Sequence, residues 1–229
     1  MPFSVLFQRE LPHGFCVGVR LPSPSDHAGE LALEHLREQE RTHAADLPLR
    51  RRITWAGGRI ALHAALEQVG HSAEAIFSTD RGAPRLPSGL AGSVSHKEGL
   101  AVALVTPHAT WSVGVDIEHM RVPRADIARH VLTPEEREEL STLQQEERWR
   151  EVLLRFSAKE ALYKALDPWV RRYVSFQEVA VHPEAGGVGR VHLALKDGAG
   201  PFRVEMGWEM NEEFVLTTAR VEKSGGFEV

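Results

Sequence analysis

The runs LAVALVT (residues 100–106) and WSVGVDIE (residues 111–118) constrain this chain more than any other feature. Both are apolar and rich in β-branched residues, the pattern of strands buried on both faces. Pro107 to Thr110 break the pattern and set a candidate boundary. The 229 residues then divide into an N-terminal half, 1–109, and a C-terminal half, 110–229. Either one large domain or two small ones can bury a core at this length.

The flanking patterns extend the reading. Leu31, Leu33 and Leu36 among polar residues predict an amphipathic helix from Asp26 to about Arg41. Trp55, Ile60, Leu62, Leu66 and Val69 follow helical spacing and Gly70 stands where that helix ends; Arg50, Arg51, Arg52 and Arg59 lie in its first part. Residues 80–92, DRGAPRLPSGLAG, read as a loop, and SVSH as a strand that turns at Lys97 to Gly99 into LAVALVT. Thr133, Pro134, Glu135 and Glu136 read as an N-cap, a first-turn proline and dipole-matched acids. A further helix, RWREVLLRFSAKEALYKAL, is expected to stop before Asp167 and Pro168. The segments VSFQEVAVHP, GRVHLALKD, FRVEMGWEM and EFVLTTARVE alternate like antiparallel strands joined by glycine-rich turns. Laying Trp55–Ala65 over Phe156–Leu166 matches aromatic with aromatic and Arg59 with Glu160, a faint repeat. The expected class is therefore α+β: two pseudo-symmetric αβ halves, each an antiparallel sheet plus helices, with a ligand cleft between.

A formal net charge of -5 argues against a general nucleic-acid binder, which needs a broad cationic surface. The single cysteine, Cys16, forms no disulfide within the chain and suits a reducing compartment. The first twenty residues hold no signal-peptide run and no later segment is a membrane span, so the expectation is a soluble cytoplasmic protein.

In Gly114-Val115-Asp116-Ile117-Glu118 the two carboxylates are two apart, which on a strand puts both on one face. Acids side by side repel, and a hard cation such as Mg²⁺ relieves that; a solvated strand end is the plain alternative. In FSAKEALYK, Glu160 and Lys164 are i and i+4 on a helix. They read either as an ordinary surface pair or, beside a metal, as a ligand or base with a cation for a phosphate. GSVSH is neither a nucleophile elbow nor a zinc motif; its small residues could admit a phosphate, with His96 as a donor. Arg51, Arg52 and Arg59 read as a solvated helix face or as a phosphate fork.

In order, RRRITWAGGR, GAPRLPSGLAGSVSH, GVDIE and FSAKEALYK resemble the 4'-phosphopantetheinyl transferases of the Sfp and EntD type, over about Arg51 to Phe176. Leu86 replaces a tryptophan frequent in the EntD-like pattern. The resemblance implies two αβ halves with coenzyme A and Mg²⁺ bound between them, and transfer of phosphopantetheine to a serine of an apo acyl- or peptidyl-carrier protein with release of 3',5'-ADP. It implies Asp116, Glu118 and Glu160 as metal ligands, Glu160 as general base, and Lys159 and Lys164 as catalytic and coenzyme A-binding lysines. Ser95 and His96 would lie against nucleotide phosphates, Arg52 and Arg59 would receive the 3'-phosphate, and Arg81 or Arg85 would join them. Carriers of fatty-acid, polyketide, nonribosomal-peptide or siderophore synthesis present an acidic helix, for which Met120, Arg121, Val122, Arg124, Ile127 and Arg129 are candidate contacts. A monomer suffices. The rival readings are a metal-dependent phosphodiesterase or nuclease, and a non-catalytic coenzyme A-binding or carrier-docking module.

Overall fold

Strand β1 (Ser4–Leu11) turns through Pro12 and His13 into β2 (Gly14–Arg20), a hairpin that the sequence reading did not draw. The computed structural model describes residues 3–107, 110–121 and 127–224. The chain forms two units, Met1–Ala109 and Thr110–Val229.

In the first unit, the helix expected over 26–41 is two: α1 (Asp26–Glu34), capped by the Ser25 hydroxyl, and α2 (Glu38–Ala45). The chain breaks there because Glu40 is drawn fully inside. Its carboxylate accepts from the amides of Arg37 (3.2 Å) and Ile76 (2.7 Å) and lies 2.8 Å from His63 Nε2. Burial raises the Glu40 carboxyl, but these hydrogen bonds outweigh it and leave it below the ordinary value. Helix α3 (Leu49–Gln68) follows, then β3 (Ala91–Lys97) and β4 (Leu100–Thr106). The antiparallel sheet runs β1-β2-β4-β3. Helix α3 packs on it through Ile53, Ala61, Leu62, Ala65 and Leu66, against a core with Val17, Val19, Ile76 and Val105.

The second unit opens with β5 (Ser112–His119), followed by α4 (Ala128–Val131), α5 (Pro134–Glu139) and α6 (Gln145–Val170). Thr133 caps α5, as the sequence predicts, and Glu136, expected there only as a dipole-matched acid, closes a capping box with it. Helix α6 continues through Pro168 instead of stopping before it. A proline costs one amide and crowds the preceding turn. Here the last turn is held by Trp169, whose indole N–H donates to the Ser112 hydroxyl on β5, and Arg171 ends the helix in the left-handed region at φ 50°. Strands β6 (Val179–Glu184), β7 (Val188–Leu193), β8 (Phe202–Met210) and β9 (Phe214–Lys223) complete the unit. β6 starts later than expected because Ser175 caps a short turn at Phe176–Glu178. The antiparallel sheet runs β5-β9-β8-β7-β6, and Ala158, Ala161, Leu162, Ala165 and Leu166 of α6 pack on Val181, Ala219 and Val221. The fold class is α+β, two antiparallel sheets with helices, and both repeat segments lie in the long helix of their unit.

Candidate functional site

The acidic motif is built by close approach of α6 to β5. Alternation puts Ser112, Gly114, Asp116 and Glu118 on one strand face. Ser112 donates to the carbonyl of Ala165. A Cβ at Gly114 would lie 1.8 Å from the Ala161 carbonyl oxygen, so only glycine admits the helix there. Beyond that contact Asp116 meets α6 directly. Ser157 Oγ donates to Oδ2 at 2.9 Å, and Lys164 Nζ donates to Oδ1 at 2.9 Å and to the Val115 carbonyl at 2.9 Å. Thr217 Oγ1 of β9 lies 2.9 Å from the Ser157 hydroxyl. Asp116 and Glu118 are 4% and 8% exposed.

The structure thus joins Asp116 to Lys164 and puts Glu118 on the same strand face, with Glu160 half-buried one helical turn before Lys164. Among the described residues no group of three or more His, Cys, Asp or Glu side chains is already gathered at metal-holding distance. Donor chemistry nevertheless suits a hard cation: two buried carboxylates share one strand face, where mutual repulsion favours Mg²⁺ or a like ion.

Lys159 is turned into the interior of its unit. It is 1% exposed, and its ammonium donates to Glu136 Oε2 at 2.6 Å, the Val131 carbonyl at 2.7 Å and the Phe176 carbonyl at 3.1 Å. Burial pushes its pKa down; the Glu136 charge and hydrogen bond oppose this, and Arg155 adds to it. All three of its protons are donated inside the unit.

The arginines of α3 also sort differently from the sequence reading. Arg52 is turned onto the end of α2, donating to the carbonyls of Ala44 (3.1 Å), Ala45 (2.7 Å) and Leu47 (3.3 Å), a helix-end cap. Arg51 instead lies 2.8 Å from His96 Nε2. Arg59 is 4% exposed, stacks over Trp55 with its guanidinium carbon 4.4 Å from the ring centroid, and donates to Ser78 Oγ at 3.0 Å. Burial lowers Arg59 to about 10, with Glu40 countering and Arg51 reinforcing the effect. It stays charged at neutral pH, and its buried Nε has no hydrogen-bond partner among the described residues. Arg51, beside His96, and Arg59, which feels the Arg51 charge, are therefore neighbouring cations of α3, and no acid occupies the first turn of that helix.

Ser95 does not join that group. Adjacent strand residues point to opposite faces, and His96 shares the α3 side with Val94, which packs on Gly58. Ser95 is buried on the other face. Arg81 is exposed at the tip of a turn in which Thr79 N donates to the Ala83 carbonyl and Gly82 N to the Thr79 carbonyl, while Arg85 is exposed just beyond.

Of the expected carrier contacts, Met120 and Arg121 line a groove of about 580 Å³ with Gln145, Glu146, Trp149, Arg150 and Glu212. Trp149, one of its lining residues, donates its indole N–H to the Arg121 carbonyl at 3.0 Å. Ile127 packs partly buried against the cluster of Val131, Leu132, Leu140 and Val152, and Arg129 is exposed beside His130. Val122 and Arg124 lie outside the described residues. The sequence reading missed Ser157, Trp149, Arg150 and the role of Glu136. Only Ser157 had a signal, since it stands seven residues before Lys164 on the same helix face.

Two family models match the chain: the 4'-phosphopantetheinyl transferase superfamily over residues 112–219, and the 4'-phosphopantetheinyl transferase N-terminal domain over residues 38–106. The chain is 32% identical over 222 residues to the 4'-phosphopantetheinyl transferase Npt of Nocardia iowensis, covering 90% of this chain and 96% of that protein. It is 31% identical over 197 residues to the 4'-phosphopantetheinyl transferase Svp of Streptomyces mobaraensis, covering 82% and 79%. Among solved structures, a Chronobacterium ammoniagenes ACPS-CoA complex is 20% identical with a TM-score of 0.41, covering 50% of this chain and 98% of that one.

Proposed function

This chain belongs to the 4'-phosphopantetheinyl transferase superfamily, and on that premise we propose that it moves the phosphopantetheine of coenzyme A to a serine of an apo carrier protein. The observation that carries the reading of the site is the clasp on Asp116, where Ser157 and Lys164 of α6 hold both oxygens of a buried carboxylate. Family membership favours transfer to a carrier over hydrolysis of a phosphodiester.

In the proposed reaction the serine oxygen bonds to the β-phosphorus, which carries pantetheine. The bond from that phosphorus to the bridging oxygen breaks, and 3',5'-ADP leaves. Glu160 accepts the serine proton as general base. Lys164 uses two protons on Val115 and Asp116, which leaves the third to stabilise negative charge on the departing phosphate. Mg²⁺ held by Asp116, Glu118 and Glu160 would supply neutralisation of the pyrophosphate charge. Arg51, Arg59 and His96 would take a phosphate of the nucleotide, whose charge would relieve two neighbouring guanidinium groups. The groove offers an acidic carrier helix the apolar Met120 and Trp149 and the guanidinium of Arg121, while its second arginine, Arg150, pairs with Glu146 at 3.3 Å and Glu212 also lines it.

Among the described residues no helix is long and apolar enough to cross a membrane. The test of the reading is incubation of apo acyl- and peptidyl-carrier proteins with this chain, coenzyme A and Mg²⁺, with and without chelator. A gain of one phosphopantetheine and equimolar 3',5'-ADP, both lost with chelator, is the expected outcome. Coenzyme A binding with no gain on any carrier would support the non-catalytic reading instead.

A further inference from the structure

Glu136 stands at the third position of α5 and is fully buried. Its carboxylate accepts three hydrogen bonds: from Thr133 N at 2.7 Å, Val181 N at 2.8 Å and Lys159 Nζ at 2.6 Å. One carboxylate thus joins the start of α5, strand β6 and the middle of α6. A buried ion pair adds little net stability, because desolvation offsets its attraction; what it can fix is geometry. Lys159 directly precedes Glu160, about 100° around the helix. Clamping Lys159 therefore sets the roll of α6, the roll that turns Ser157 and Lys164 onto Asp116.

The first unit repeats the device. Glu40 stands at the third position of α2, closes back on the amide of its N-cap Arg37, reaches His63 on the long helix α3, and takes a third bond from Ile76 N. Each unit therefore fixes its long helix with one buried glutamate on a short helix.

We infer that Lys159 and Glu136 are positioning residues for the transfer, and that Lys159 does not touch coenzyme A. The inference rests on the reading of Glu160 and Lys164 proposed above, and its tests separate the two.

The first test uses the unaltered chain, acylated with an amine-reactive ester and read by peptide mass spectrometry, with and without coenzyme A. Lys159 is expected to stay unmodified in both states, while Lys164 reacts and is shielded by coenzyme A. A Lys159 that reacts in the free protein and is shielded by coenzyme A overturns the inference. An unreactive Lys159 beside a Lys164 that coenzyme A leaves unshielded upholds the burial of Lys159 and faults only the reading of Lys164.

The second test compares Lys159→Met, Glu136→Gln and the double variant. Each single change strands a buried partner, so kcat is expected to fall about tenfold or more at a temperature where circular dichroism shows folded protein, with the KM for coenzyme A within about twofold. The double variant leaves neither charge and is expected to regain most of both stability and kcat, since the two residues act as one unit. Parental kcat in folded single variants would make the pair merely structural. A double variant as stable as the parent but about a hundredfold slow, or with KM for coenzyme A raised about tenfold, would give Lys159 a ligand contact. Either result overturns the inference, and if no single variant folds the acylation result decides.

Discussion

Replacing Gly114 by alanine tests whether the approach of α6 to β5 builds the site. The new Cβ would sit 1.8 Å from the Ala161 oxygen, 2.8 Å from its carbonyl carbon and 3.0 Å from Ala165 N, where ordinary contact begins at 3.4 Å. That oxygen accepts the helical hydrogen bond of Ala165 and cannot swing aside alone. Helix and strand must part by about 1.5 Å locally, at a cost of about 1–3 kcal/mol or more for overpacking. The same movement lengthens the 2.9 Å bonds from Ser157 and Lys164 to Asp116 beyond hydrogen-bonding range. A displacement of about 1 Å at reacting groups costs about a hundredfold in rate, so kcat should fall by that order in the protein that remains folded. Urea unfolding gives the first quantity and initial rates of carrier modification the second. A Gly114→Ala protein with the parental unfolding midpoint and kcat would refute this account of the site.

Further outcomes follow from single residues. Arg51→Ala should raise the KM for coenzyme A about tenfold or more with little loss of stability, whereas Arg52→Ala, which strips three carbonyls of their donor, should cost about 1–2 kcal/mol in urea and leave that KM unchanged. Arg121→Glu should raise the KM for the carrier and leave that for coenzyme A alone, read by initial rates against varied carrier. Burial alone would raise the Glu178 carboxyl, yet bonds from Arg172, Lys196 N and Ser175 N hold it down at about 2. A lowered folded pKa gives stability that is present above the ordinary value of 4.5 and disappears as pH falls toward 2. Glu178→Gln should therefore flatten the acid-unfolding curve in that window, and an unchanged curve would remove the carboxylate from the account.

What the sequence made legible was periodic or chemically paired. The apolar runs that became β4 and β5 fixed the strands, and the two-residue spacing of Asp116 and Glu118 fixed their common face. The hairpin of β1 and β2 went undrawn, although Leu11 and Gly14 close it over two residues, because Phe3 to Arg20 mixes charged residues into the alternation. The break between α1 and α2 was hidden because nothing local shows that Glu40 is drawn inward to meet His63 and Ile76, distant in sequence. Arg51 and Arg52 are adjacent and chemically alike; only the helix phase separates the one beside His96 from the one capping α2. The burial of Lys159 is hidden for the same reason, since it depends on Glu136 and the carbonyls of Val131 and Phe176, distant in sequence.

The most direct measurement is single-turnover modification of an apo carrier protein by the parent and by Glu160→Gln, with coenzyme A and Mg²⁺ present and intact-mass spectrometry as the readout. The account expects the parent to add one phosphopantetheine and the variant to add almost none while still binding coenzyme A. Transfer by Glu160→Gln at the parental rate would contradict the placement of the chemistry on α6 and β5.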